Sequence, residues 1–204
     1  MLERIAYNIG RNDEAPNIEL AELLCDTNDR NGIAEITEGL NNKNKLIAND
    51  CIKVLYEIGE SRPELIAEYC GTFLELLYSK NNRMVWGCMT ALSCIADICA
   101  EEIFKRIDAV IYAYEKGSVI TVDNSISVLA KVCKADTSYE EKLFPLLIKH
   151  LTYCRPKEIA QHAERMAVCI NSSNKAPFFD VIEQRRTILT APQQSRLDKL
   201  LRQL

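Results

Sequence analysis

The sequence predicts an all-α protein in which one helical hairpin recurs along the chain. Apolar residues return with helical rather than strand spacing through most of the 204 residues. Only 7 glycines and 6 prolines are present, fewer than a sheet protein with many tight turns usually needs. In addition, a shift of the sequence by 37 residues aligns apolar positions with apolar positions, as from Leu55 to Leu92. Together these observations favour a helical repeat protein.

The predicted helices follow from buried stripes and from the breaks between them. Ile33, Ile36 and Leu40, for example, have the i, i+3, i+7 spacing of one helix face. Turn and capping residues interrupt these stripes, and Pro63 and Pro156 suit the first turn of a helix. The breaks are expected at 41–42, 61–63, 81–82, 116–118, 135–138, 155–156 and 171–176.

The 37-residue register relates both helices of each predicted hairpin. Six columns stay apolar through four copies. They are Leu55, Leu92, Leu129, Met166; Ile58, Ile95, Val132, Cys169; Ala48, Val85, Val122, Ile159; Ile36, Phe73, Val110, Leu147; Ile33, Cys70, Ile107, Phe144; and Leu40, Leu77, Tyr114, Leu151. A single hairpin cannot cover its own apolar face, so successive hairpins are expected to stack around a continuous core.

This register predicts one domain over residues 1–204 with three parts. Residues 30–171 form four central repeats, with hairpins at about 30–59, 63–99, 102–134 and 138–171. Residues 1–29 form an N-terminal cap with helices at 2–10 and 17–25. Residues 172–204 form a C-terminal cap with helices at 177–189 and 192–203, because the ends of a stack need a polar outer face.

The helix–turn–helix units with an apolar second helix, as in Leu46-Ile47-Ala48-Asn49-Asp50-Cys51-Ile52-Lys53-Val54-Leu55, resemble HEAT and armadillo-like repeats. The resemblance covers residues 30–171 and is one of fold. The regular proline of the first HEAT helix is absent apart from Pro145, and so is the Asp and Arg/Lys ladder. The resemblance implies a right-handed α-solenoid, a HEAT/ARM-like superhelix of about six hairpins. It also implies that a partner binds along a concave surface lined by the second helices.

The candidate partner-binding residues come from the columns expected to face outward on the second helices. One column holds Asn49, Trp86, Asp123 and Ala160, and its neighbour holds Lys53, Thr90, Ser127 and Glu164. Trp86 is the only tryptophan of the chain, and tryptophan is enriched in binding hot spots. It either anchors a partner or packs on Met84, Met89 or a neighbouring helix. The predicted site comprises Trp86, Arg83, Asn49, Lys53, Tyr56 and Asp123.

The sequence favours a non-enzymatic protein without a cofactor. It contains no glycine-rich phosphate loop, HExxH, GxSxG or dinucleotide fingerprint. The acid pairs Glu101-Glu102 and Glu140-Glu141 stand where helices open, which suits the positive end of the helix dipole. We therefore assign no catalytic residue.

The metal-ligating residue types also point to structural roles. His150 and Cys154 are four residues apart and His162 follows after a turn, but no fourth ligand has the usual close spacing of a zinc site. We expect His162 to be a packed, hydrogen-bonded histidine and predict no metal site. The nine cysteines fall largely inside apolar helical patterns, so we expect reduced thiols that act as small hydrophobes.

Composition and charge bear on location and partners. The N-terminus lacks the basic start and apolar run of a signal peptide, and no stretch is long enough for a membrane span, so a cytoplasmic location is expected. Residues 1–102 carry 9 Lys+Arg against 18 Asp+Glu, and residues 103–204 carry 16 against 11. This asymmetry leaves self-association through opposite ends as an alternative to binding a protein or peptide.

The enzymatic alternative is a DNA-binding protein similar to the alkylpurine DNA glycosylases, which are built from HEAT-like hairpins. Such a protein needs a basic stripe to neutralise phosphates. The pI is about 5.4, and only Lys53 is a cation in the outward columns of second helices named above. The C-terminal third is basic, through Arg155, Lys157, Arg165, Arg185, Arg186, Arg196, Lys199 and Arg202. Nucleic acid is therefore an unlikely partner, and a protein or peptide is preferred.

Overall fold

The computed structural model describes all residues, 1–204, and is all-α, with twelve α-helices and no strand. None of these helices combines the length and apolar character that crossing a membrane requires. The helices are α1 Ala15–Thr27, α2 Arg30–Glu38, α3 Lys45–Ser61, α4 Cys70–Leu76, α5 Asn82–Ile95, α6 Ala100–Lys105, α7 Ile107–Lys116, α8 Val119–Ala135, α9 Thr137–Tyr153, α10 Pro156–Met166, α11 Lys175–Arg185 and α12 Ala191–Leu201.

The contacts divide the chain into two compact units, Met1–Ser125 and Ile126–Leu204. In the first unit, α3 packs against α1, α2 and α5, while α4 packs against α5, α6 and α7. In the second unit, α9 packs against α10 and α11, and α10 packs against α12. Each unit thus has a core of its own.

The predicted breaks coincide with helix ends because polar side chains cap them there. The side chains of Asn44, Asn81 and Asp136 accept hydrogen bonds from the first backbone N–H groups of α3, α5 and α9. At the start of α10 the Glu158 carboxylate accepts a hydrogen bond from the Arg155 N–H at 3.2 Å, and Pro156 lies in the first turn. These residues satisfy backbone donors that the helix itself leaves without partners.

The N-terminal segment differs from the predicted helix over 2–10. A short 3₁₀ turn, Leu2–Arg4, is followed by turns up to Gly10, whose φ is +74°. Side chains from other helices hold this backbone, since Asn17 Oδ1 accepts from the Ala6 N–H at 2.9 Å and Asp50 Oδ2 accepts from the Tyr7 N–H at 2.8 Å. The segment is therefore held by short-range turn hydrogen bonds together with these two tertiary hydrogen bonds.

The first helices of the second and third predicted hairpins are interrupted. Two 3₁₀ turns, Pro63–Leu65 and Ala67–Tyr69, precede the short α4, and Arg106 separates α6 from α7 with φ −122° and ψ 28°. The apolar pattern continues through both interruptions, because residues three apart lie on the same side of the chain in a 3₁₀ turn, much as they do in an α-helix. Periodicity alone therefore predicted continuous helices.

The predicted core columns are mostly buried. All residues of the columns that begin at Leu55, Ile58 and Ile36 belong to the core, among them Phe73, which is fully buried. The exceptions in the other columns are half-buried, and they are Tyr114, Ile107, Val122 and Phe144. All nine cysteines are free thiols.

Candidate partner-binding site on helices α3 and α5

An aromatic pair joins the two helices that carry most of the predicted site. The rings of Tyr56 on α3 and Trp86 on α5 lie 5.7 Å apart, centroid to centroid, and are tilted by 45°. This is the distance range in which aromatic rings attract each other beyond their buried area. Tyr56 is buried, whereas Trp86 is half-buried rather than fully exposed. Part of the indole ring is therefore accessible to a partner.

Each ring of this pair has a cation above it. The Lys53 Nζ lies 4.8 Å from the centroid of the Tyr56 ring, and the Arg83 Cζ lies 5.1 Å from the centroid of the Trp86 ring. Both distances are within the range of cation–π attraction. Each of the helices α3 and α5 thus contributes one ring and one cation to the cluster.

Lys53 differs from the outward cation that the sequence suggested, because only 6% of it is exposed. Its Nζ lies 3.0 Å from Glu14 Oε2 and is hydrogen-bonded to Glu57, one helical turn further along α3. Burial alone would lower the pKa of Lys53, but the hydrogen bonds to the two carboxylates outweigh it and raise the pKa. Lys53 is covered because α3 packs between α1 and α5.

Glu14 connects the site to the start of α1. Its Oε1 accepts a hydrogen bond from Arg83 Nη2 at 2.6 Å, while its other oxygen faces Lys53. The hydrogen bond from Arg83 lowers the pKa of Glu14, with burial acting in the opposite direction and Lys53 adding to the lowering. One carboxylate therefore holds the cations of α3 and α5 together.

A pocket of about 280 Å³ lies beside this group. Asn49 and Arg83 line it together with residues of the N-terminal segment, including the exposed Tyr7, and the exposed Leu46 of α3. The Asn49 Oδ1 also accepts a hydrogen bond from Asn81 Nδ2 at 2.7 Å, which ties α3 to the cap of α5. The pocket offers apolar, amide and guanidinium groups in one place.

The structure thus brings together five of the six predicted residues on α3 and α5, and Asp123 lies on α8. Ala160, which shares the column of Trp86, is buried rather than outward-facing. Glu14 and Glu57 were not predicted to belong to the site. Glu57 could have been found as the i+4 partner of Lys53, whereas Glu14 lies 69 residues from Arg83 and has no local signal.

Three residues of the column that begins at Lys53 make side-chain hydrogen bonds within their own unit. Thr90 Oγ1 accepts from Asn124 Nδ2 at 2.7 Å, the Ser127 hydroxyl accepts from Arg165, and the Glu164 carboxylate accepts from Arg196. Each link joins residues 32 to 38 positions apart within one unit. The residue types differ from pair to pair, so these bonds are not the Asp and Arg/Lys ladder of HEAT repeats.

The two histidines of the chain meet in the second unit. His150 Nε2 and His162 Nδ1 are 2.8 Å apart, and both side chains are buried, His162 completely. A packed, hydrogen-bonded His162 was predicted, although at a half-buried position. One ring nitrogen of each histidine and the Cys154 Sγ lie within 4.8 Å of one another. A second such group comprises Cys70, Cys99 and Glu102.

Comparisons with known proteins bear on the fold alone. No protein-family model matches the chain, and no curated protein sequence matches it. Two crystal structures of engineered proteins from the Northeast Structural Genomics Consortium are similar to it in fold. The first has a TM-score of 0.68 at 15% identity and covers 98% of this chain and 95% of its own. The second has a TM-score of 0.62 at 14% identity and covers 98% of this chain and 58% of its own. The chain therefore shares a helical fold with engineered proteins.

Proposed function

We propose that the protein is a non-enzymatic scaffold of the cytosol that binds a protein or peptide partner. The proposed binding site, called the Trp86 site below, comprises Trp86, Arg83, Asn49, Lys53 and Tyr56. The main support is a cluster of two aromatic rings and two cations on α3 and α5. It consists of Trp86, Tyr56, Arg83 and Lys53. Aromatic residues and arginine are the types that contribute most to protein interfaces.

The burial of these residues divides their roles. Trp86, Arg83 and Asn49 are half-buried and within reach of a partner, whereas Lys53 and Tyr56 are buried beneath them. Lys53 and Tyr56 then hold the side chains of Trp86 and Arg83 in place before a partner binds. Since less side-chain freedom is lost on binding, a fixed site of this kind gains affinity.

We infer that the hairpins stack as a HEAT-like α-solenoid, with the site on the second helices α3 and α5. Support comes from the sequence register and from side-chain links of about one repeat in length inside each unit. Arg62 donates to the Cys25 carbonyl, 37 residues away, and Gln193 donates to the Pro156 carbonyl, also 37 residues away. Links between neighbouring copies are what repeat proteins depend on.

The DNA-binding alternative has less support, because several of the basic groups of the C-terminal third already have partners. Arg155 binds Glu158, Arg186 binds Glu183 and Asp198, and Arg196 binds Glu164. Arg185 donates to backbone carbonyls at the end of α9. Phosphate contacts would have to compete with these interactions.

Affinity capture from cells that naturally express the protein tests the proposal. Wild type is compared with Trp86→Ala and with Tyr153→Ala, in which an aromatic side chain of a residue 79% exposed is removed outside the cluster. A hot-spot loss of about 2 kcal/mol corresponds to about 30-fold weaker binding. We expect a partner that Trp86→Ala recovers poorly and Tyr153→Ala recovers normally. Equal recovery of every partner by all three proteins would contradict the proposal.

A further inference from the structure

The hairpin of α9 and α10 carries a cluster of metal-ligating side chains outside the Trp86 site. His150 lies in the last turn of α9, and Cys154 is the residue at which that helix ends. His162 lies on α10, which begins at Pro156, directly after the short connection from α9. His150 and Cys154 are four residues apart, as are Glu158 and His162, so each pair shares one helix face.

The distances suit a small, soft divalent cation. In a tetrahedral zinc site, bonds of 2.0–2.1 Å to nitrogen and 2.3 Å to sulfur place two nitrogens about 3.3 Å apart and a nitrogen and a sulfur about 3.6 Å apart. Here the facing nitrogens of His150 and His162 are 2.8 Å apart, and the Cys154 Sγ lies within 4.8 Å of the histidine ligand atoms. Side-chain adjustments of roughly an ångström would open the pair and admit the ion.

The residue types of the cluster are those of a metal site. The chain has only 2 histidines, and both are buried here in contact with each other and beside a cysteine. Imidazole and thiolate are the ligands that zinc-class cations prefer, whereas an apolar pair would fill the same space without polar groups to satisfy.

The surroundings of Cys154 keep its sulfur protonated in the metal-free protein. Burial raises the pKa of Cys154 to about 11, against a lowering by the nearby Arg185, so the metal-free residue is a thiol. That thiol donates to the Leu151 carbonyl at a sulfur–oxygen distance of 3.7 Å.

We propose that His150, Cys154 and His162 form a binding site for a Zn²⁺-class cation, with water as the fourth ligand. On binding, the Cys154 S–H loses its proton to solvent and the thiolate sulfur bonds the ion. The ring that donates the hydrogen bond between the two imidazoles releases that N–H proton to solvent and takes up a proton on its other ring nitrogen. Each facing nitrogen then has a lone pair free for one bond to the ion. The ion would then link the end of α9 to α10 and stabilise the second unit.

Titration of the full chain with Co²⁺ tests this site, because a thiolate bound to Co²⁺ gives a charge-transfer absorption band. Wild type is compared with Cys154→Ser and with Cys99→Ser, which removes one ligand of the Cys70, Cys99 and Glu102 group. We expect the band in wild type and in Cys99→Ser, its loss in Cys154→Ser, and its displacement by Zn²⁺. Circular dichroism checks that each variant keeps its helical content.

Two results would overturn the proposal. One is the absence of the band in wild type, and the other is a band that persists in Cys154→Ser. X-ray absorption of the Zn²⁺-loaded wild type serves as a test that needs no variant. One sulfur and two imidazole ligands are expected, and a shell without sulfur or with more than one sulfur would refute the site.

Discussion

Gly87 sets the distance between α3 and α5, and its replacement is the most detailed prediction of the structure. A Cβ at this position would lie 2.7 Å from Cγ1 and 3.1 Å from Cγ2 of Ile52, a core residue of α3. Both atoms are near the backbone and cannot move aside by rotation of a flexible chain end. The aromatic contact of Tyr56 with Trp86 depends on this close approach of the two helices.

Gly87→Ala therefore combines two opposing effects on the free energy of unfolding. Alanine in a helix interior stabilises by about 1 kcal/mol relative to glycine. Overpacking of a core costs about 1–3 kcal/mol. We expect a net change from about zero to a loss of about 2 kcal/mol. In contrast, Gly71→Ala is the matched control, because its Cβ would meet only the ends of two flexible side chains, Glu102 at 3.2 Å and Arg106 at 3.8 Å.

A double-mutant cycle isolates the contact with Ile52. Ile52→Ala alone should destabilise by about 2–5 kcal/mol, because it leaves a cavity. In that background the clash is gone, so Gly87→Ala should stabilise by about 1 kcal/mol. Urea denaturation should thus give a coupling energy of about 1–3 kcal/mol between the two positions. Additive effects, within about 0.5 kcal/mol, would refute the close approach of α3 and α5 at Gly87.

Three further predictions concern stability. Leu92→Ala and Leu129→Ala should each lower the free energy of unfolding by on the order of 2–5 kcal/mol, because both side chains are fully buried. Denaturant titrations that show losses below about 1 kcal/mol would contradict the core register. The pKa of Glu14 is lowered in the folded state, so its stabilisation is present above the unfolded pKa and is lost as pH falls through the folded pKa. Glu14→Gln should therefore flatten the loss of melting temperature on acidification, and an acid profile identical to that of wild type would argue against the contact with Arg83. Asn174→Ala should destabilise the protein by about 1–3 kcal/mol, because its buried amide donates to the Glu140 carboxylate and to the Cys169 carbonyl. An unchanged midpoint in thermal melts would show that these two hydrogen bonds do not stabilise the fold.

The sequence predicted the parts of the fold that depend on local patterns. The burial of Leu55, Leu92 and Leu129 follows from helical spacing and from the 37-residue register, and the caps at Asn44 and Asn81 lie beside or within predicted breaks. Both signals are local, because they need only the period of a helix and the chemistry of its first turn.

The remaining features depend on contacts between distant residues. The N-terminal segment is tied to the rest of the fold by the side chains of Asn17 and Asp50, for which no local sequence pattern gives a signal. The same holds for Glu14, which bridges Lys53 and Arg83 from the start of another helix. The residue types in the outward columns predicted Trp86 as a binding residue. The burial of Lys53, in contrast, follows only from the packing of α3 against other helices.

The fluorescence of Trp86 tests the central proposal most directly, because it is the only tryptophan of the chain. A partner recovered by affinity capture and lacking tryptophan, natively or by substitution, is titrated into the wild-type protein while the emission is recorded. Binding at the proposed site should cover the half-buried indole and shift its emission to shorter wavelength, with the affinity measured independently by calorimetry. A partner that binds with that affinity and leaves the emission unchanged would contradict the assignment of Trp86 as the binding site.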